Sequence, residues 1–164
     1  MLTRNIYKEN LSLTYTHQLF SLKTQFRTDE TNILMCLNTS TNNTSELPET
    51  YSILSNQLPS IFSCECFNDY NLPFSQEVQR TELGHLFEHI LIEYLYEEKL
   101  ALGLDDFELS GETAWDWKCD PRGTFYISIN AKDLDRKIFI NAFEKGVLLL
   151  QKILLSTSSS RERI

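Results

Sequence analysis

No run in this chain approaches the roughly 18 to 20 consecutive apolar residues that a membrane-spanning helix needs. The opening residues MLTRNIYKEN also lack the apolar core of a signal peptide. The expectation is therefore a cytoplasmic protein with no membrane partner. Cysteine is sparse, and Cys36, Cys64, Cys66 and Cys119 are unevenly spaced. Cys64 and Cys66 form a C-x-C, which is not the C-x-x-C pair of a zinc ribbon or a redox site. Reduced, partly buried thiols are the favoured reading, with a site built from Cys64, Cys66 and a distant ligand as the weaker one. Positive charge is short as well. Against 23 Asp and Glu stand 15 Lys and Arg, a formal net charge of −8, with no basic cluster. Such a surface repels phosphates, so nucleic acid is excluded as the expected partner, and ligands carrying basic groups are favoured. There is no internal repeat and no G-x-x-x-x-G-K-[ST] phosphate loop. Histidine is scarcest, at three residues, and two of them fall in a single pentad.

What is present fits one domain. A chain of 164 residues with 41% hydrophobic and 23% charged residues can bury a core without staples. Leu11 to Phe26 alternates apolar and polar residues and reads as a strand that includes His17. Asn32 to Leu37 reads as a second, buried strand, and the polar run Asn38 to Glu46 as a surface loop. A helix is expected from Pro48 to Phe62, broken or restarted at Pro59, followed by a loop-rich stretch from Ser63 to Gln79. A second helix runs from about Thr81 to Leu100, with Leu83, Phe87, Ile90, Leu91, Tyr94 and Leu95 as its apolar stripe and Gly103 as its stop. Glu112 to Cys119 and Thr124 to Asn130 read as a hairpin around the turn Asp120-Pro121-Arg122-Gly123, with Trp115 and Trp117 on one face. Leu134 to Leu155 reads as a long final helix, and 156–164 as a disordered tail. The order strand, strand, helix, helix, hairpin, helix predicts an α+β domain over 1–155, with helices packed on one face of an antiparallel sheet.

The pentad His85-Leu86-Phe87-Glu88-His89 lies in the central helix. Residues four apart on a helix project from one face, one turn above the other. His85 and His89 can therefore offer two imidazoles to one metal ion, while Glu88 falls on nearly the same face as His85. This is the inverted H-x-x-E-H arrangement of zinc peptidases, in which two His hold zinc and the Glu is general base. Taken alone, two His and a Glu at this spacing also occur by chance as boundary residues of an amphipathic helix.

Gly84-His85-Leu86-Phe87-Glu88-His89-Ile90-Leu91-Ile92-Glu93 resembles the G-H-x-x-E-H-x-x-x-E signature in the N-terminal domain of cyanophycin synthetases. Leu58-Pro59-Ser60 followed by a cysteine (Cys64 or Cys66), the Gly111-Glu112-Thr113 strand opening, Gly123-Thr124-Phe125-Tyr126 and an apolar last helix follow the same order. The similarity spans Leu58 to Leu155, and the first 50 residues match only in kind. The pentad and the helix–hairpin–helix order are also similar to pitrilysin-type zinc peptidases. Those take a third ligand, a Glu, from a helix well after the pentad, and this chain ends before an equivalent segment. The ATP-grasp and Mur-ligase-like modules of the synthetases are missing too. The resemblance thus implies the polymer-holding domain, which in some members carries a metal-dependent hydrolytic site.

From these residues, the expectation is a metal-dependent peptidase or amidase acting on a peptide-like substrate with basic side chains. Cyanophycin or a similar aspartate–arginine polymer is the substrate that the resemblance implies. Zinc is the expected cofactor, held by His85, His89 and a third ligand, for which Glu112 is the first choice, ahead of Glu144 and Glu93. Glu88 is the expected base. Glu93 and Asp116 are expected to receive a guanidinium, and Trp115 and Trp117 read as core residues or as stacking partners for one. The alternative is a non-catalytic peptide-binding or accessory domain that kept the motif helix without turnover. The apolar last helix is of a kind that often serves homo-oligomers.

Overall fold

Alternation of apolar and polar residues builds the sheet. In the computed structural model of the protein, residues 2–3, 12–64, 66, 72–105, 107–132 and 136–161 are described. Leu11, Leu134 and residues 162–164, which the sequence reading assigned to a strand, a helix and a tail, lie outside them, as do 65 and 67–71 of the loop-rich stretch. Six strands are paired: β1 (Leu2–Thr3), β2 (Ser12–Thr16), β3 (Phe20–Phe26), β4 (Thr31–Leu37), β5 (Gly111–Ala114) and β6 (Thr124–Ile129). Every pairing is antiparallel, in the order β1-β2-β3-β4-β6-β5. On one face the registers align Leu22 with Met35 and Met35 with Phe125, then Ile33 with Ile127. All five are buried. The other face carries Lys23, Gln25, Tyr126 and Glu112, all exposed. A sheet with one apolar face must cover it with helices, which is the α+β layer expected from the sequence.

The run Leu11 to Phe26 is two strands rather than one. Buried positions sit at Leu13 and Tyr15 in β2 but at Phe20, Leu22 and Thr24 in β3, so the parity changes across the turn at 17–19. His17 makes that turn. Its backbone N–H donates to the Phe20 carbonyl (2.8 Å) and its Nδ1 accepts from the Leu19 N–H (3.1 Å). Continuous alternation in composition conceals this reversal, because a change of parity shows only when buried positions are compared.

Four helices are described: α1 (Thr50–Gln57), α2 (Phe74–Glu77), α3 (Leu83–Ala101) and α4 (Arg136–Arg161). A 3-10 stretch, Pro59–Ser63, starts at the proline that was expected to break the first helix. α3 packs on β5 and β6 on one side and on α4 on another. Its apolar surface is accordingly wider than one stripe, with Leu83, Leu86, Phe87, Ile90, Leu91, Tyr94 and Leu95 all buried. Gly103, at φ 72°, ends it: the Gly103 N–H donates to the Leu100 carbonyl and the Leu104 N–H to that of Lys99, both at 3.0 Å. α4 continues to Arg161, six residues past Leu155, so 156–161 of the segment read as a tail are helical. None of the described helices is long and apolar enough to cross a membrane.

The polar run Asn38 to Glu46 is less of a surface loop than its composition suggests. Asn42 and Thr44 are buried, and the segment pairs with the chain just before α3. The Thr44 N–H donates to the Thr81 carbonyl (2.8 Å) and the Leu83 N–H to that of Asn42 (2.9 Å), flanking a bridge between Asn43 and Glu82.

α3 comes close to the sheet at Gly84, where a Cβ would clash with the Phe125 ring. Gly84→Ala is therefore expected to destabilise the protein by about 1–3 kcal/mol, the usual cost of overpacking, seen as a lower midpoint of urea unfolding. An unchanged midpoint would show that Phe125 can move aside freely.

Candidate metal centre

Three donors from two parts of the chain converge on the first turns of α3. Cys66 follows the 3-10 stretch, and His85 and His89 stand one turn apart on the helix. Their ligand atoms lie within 4.8 Å of one another. His85 Nε2 is 3.1 Å from His89 Nε2 and 3.4 Å from Cys66 Sγ. Around a tetrahedral zinc with Zn–N near 2.0 Å and Zn–S near 2.3 Å, the N···N and N···S edges are about 3.3 and 3.5 Å. The two observed separations agree within a few tenths of an ångström. Among the described residues, Cys66, His85 and His89 thus form a donor set that could hold one metal ion.

Packing fixes both rings. Phe74 of α2 stacks on His89 with centroids 4.0 Å apart and planes 23° apart, and meets His85 edge-on at 6.2 Å. Thr81 Oγ1 lies 2.8 Å from His85 Nδ1, and Glu77 Oε1 is 3.7 Å from the same nitrogen. Burial, helped by the neighbouring His85, pushes the His89 pKa down to about 3. Burial also lowers that of His85, against the opposing pull of Glu77 and Glu82. Both imidazoles are therefore neutral at neutral pH, the form that binds metals.

Glu88 is 5% exposed and lies outside the group of converging donors. Three helical steps of about 100° set it roughly 60° around the axis from His85, on the side facing β5. Its Oε2 accepts from the Thr113 hydroxyl at 2.5 Å, and a Cβ at Gly111 would come within 2.9 Å of its Oε1. A side chain at 111 would crowd the carboxylate. Burial raises the Glu88 pKa to about 7; the Thr113 bond opposes this, and the charges of Glu112 and Glu77 add to it.

Glu112 itself does not reach the metal centre. Gly111 and Thr113 face α3, so strand alternation turns the Glu112 side chain to the opposite face of the sheet, where it is exposed beside Ser128. Cys66 occupies the place expected of it. The resemblance had pointed to a cysteine ahead of the motif helix, but a C-x-C pair carries no spacing that says which thiol would turn inward. Glu93, one turn beyond His89, accepts from the Cys64 thiol (Sγ to Oε2, 3.0 Å). Burial and that carboxylate raise the Cys64 pKa well above the ordinary thiol range, so Cys64 stays protonated as a donor and Glu93 is already engaged. Asp116 shapes the β5–β6 connection: its Oδ1 accepts from the Lys118 N–H (3.1 Å) and its carbonyl from those of Cys119 and Asp120. Trp115 and Trp117 lie in this connection beyond β5, each 5.6 Å from Phe125. Trp117 does stack on a guanidinium, but it is the chain's own Arg122, at 5.3 Å. Glu144 on α4 is half-buried and is not part of the donor cluster.

No protein-family model and no curated protein matches this chain.

The raised pKa of Glu88 makes stability depend on pH in a definite direction. Below the ordinary value of 4.5 the carboxyl is protonated in both folded and unfolded chains and costs nothing; as pH rises toward about 7 the unfolded chain ionises first and stability is lost. In metal-free protein, Glu88→Gln should therefore gain on the parent by about 2–3 kcal/mol between pH 5 and pH 8, measured by urea unfolding at each pH. A gain that is equal at both pH values would refute the ionisation account.

Proposed function

We propose that this protein is a metal-dependent hydrolase of amide bonds in peptide-like substrates, with zinc held by Cys66, His85 and His89 and Glu88 as general base. The observation that carries this reading is the convergence of one thiol and two neutral imidazoles, their ligand atoms within 4.8 Å of one another, at the helix that also bears a buried carboxyl. Catalytic zinc sites keep three protein ligands and an open position, and three donors converge among the described residues. Zinc bound there would supply Lewis-acid polarisation and a lowered pKa for water.

The remaining chemistry belongs to the chain. Burial makes the Glu88 carboxyl more basic than an ordinary glutamate in the metal-free protein, which suits it to accept a proton. Thr113 donates to one carboxylate oxygen and limits its rotation. Phe74 covers His89 and keeps water from its ring face. The excess of acidic residues, 23 against 15 basic, favours a substrate with basic side chains. An aspartate–arginine polymer such as cyanophycin, implied by the sequence resemblance, satisfies that chemistry and contains amide bonds.

A second reading is a non-catalytic peptide-binding domain. It is favoured by the environment of Glu88, whose two oxygens lie against Thr113 and Gly111 of β5.

Metal analysis of protein purified without a histidine tag, together with digestion of a peptide library and of cyanophycin, tests both. Stoichiometric zinc is expected in the parent and in Glu112→Ala, with at least a tenfold weaker affinity in Cys66→Ala and His89→Ala. Glu88→Gln should retain zinc and lose hydrolysis by roughly 10² to 10⁴. A parent that binds no zinc eliminates the metal reading, and a parent with zinc but no hydrolysis leaves the binding domain.

A further inference from the structure

A histidine that ligates through Nε2 must carry its proton on Nδ1, and an acceptor facing Nδ1 fixes both the tautomer and the angle of the ring. We propose that Thr81 is that positioning residue: His85 Nδ1–H donates to Thr81 Oγ1, which turns the Nε2 lone pair toward Cys66 and His89. The inference rests on the reading of these three residues as a metal site and adds a residue outside the pentad.

Several observations on both sides of the ring carry it. Nδ1 faces two oxygens, Thr81 Oγ1 at 2.8 Å and Glu77 Oε1 at 3.7 Å. The second belongs to a carboxylate, so the proton is held on this side of the ring. Nε2 faces the other two donor atoms, His89 Nε2 at 3.1 Å and Cys66 Sγ at 3.4 Å. Thr81 is itself immobilised. It is 2% exposed, its N–H donates to Thr44 Oγ1 at 2.9 Å, and its carbonyl accepts from the Thr44 N–H at 2.8 Å. With its backbone gripped from both sides by one residue, the hydroxyl has a fixed place just ahead of α3, four residues before His85.

The chemistry at position 81 separates orientation from packing. Valine keeps the branched shape without the hydroxyl, and serine keeps the hydroxyl without the branch. Zinc affinity, measured by competition with a chromogenic chelator, is expected to fall about 10- to 100-fold in Thr81→Val and to stay within about threefold of the parent in Thr81→Ser. In the metal-free proteins, ¹⁵N spectra of the histidine rings should show His85 as the Nδ1–H tautomer in the parent and in Thr81→Ser, and as a mixture in Thr81→Val. Parent-like zinc affinity in Thr81→Val overturns the proposal, and so does a Thr81→Ser variant as weak as Thr81→Val, since packing alone would then explain the loss. Should the parent bind no zinc, the metal reading falls on its own, and the ring spectra decide the role of Thr81: a tautomer shift confined to Thr81→Val supports it, and identical spectra in all three proteins overturn it.

Discussion

The placement of α3 is the constraint on which the rest depends. This helix is buried against β5, β6 and α4, and its contact with the sheet is close enough that residue 84 must lack a side chain. A helix held so tightly can neither rotate nor slide without large clashes, because interiors pack as densely as crystals. The direction of every side chain on its first turns is then set by the core. His85 and His89 project away from the sheet toward Cys66 and Phe74, and Glu88 projects toward Thr113. The polar chemistry of the site is thus oriented by apolar contacts made elsewhere on the same helix.

Burial shapes the electrostatics in the same way. One desolvated environment lowers the two histidine pKa values and raises that of the neighbouring carboxyl. All three groups tend toward neutrality, as groups removed from water do. Neutral imidazoles suit a cation as ligands, and a carboxyl titrating near pH 7 suits proton transfer. Neither property needs a dedicated charge partner, and both follow from where the helix sits.

Much of this was legible in the sequence. A short apolar run located β4, a run rich in aromatic and β-branched residues located β6, and the apolar stripe together with Gly103 located α3 to within two residues at its start. The pentad identified the two imidazoles that meet. The failures share one cause, which is that strand parity is a single-residue property. In the pair Glu112-Thr113, chemistry favoured the glutamate as a ligand, while Gly111 and Thr113 occupy the inward parity and leave Glu112 on the far face. The hidden turn at 17–19 is the same error in another place. Cys66 was carried only as a weaker alternative beside Cys64, because its approach to the histidines is a tertiary contact across a stretch without periodic pattern.

The buried residues of the 42–44 segment bear on how the chain could vary. Polar composition usually marks a connection that accepts insertions. Here the segment divides. Asn38 to Thr41 leads away from β4 with few ties, whereas Asn42 to Thr44 forms a short clasp over the start of α3. Extra residues could be accommodated ahead of Asn42, but lengthening within the clasp would shift Thr44 relative to Thr81 and loosen the entry to the helix. In a set of related sequences, gaps should gather on one side of that boundary and stop at the other, which would make the edge of the clasp visible without any structure.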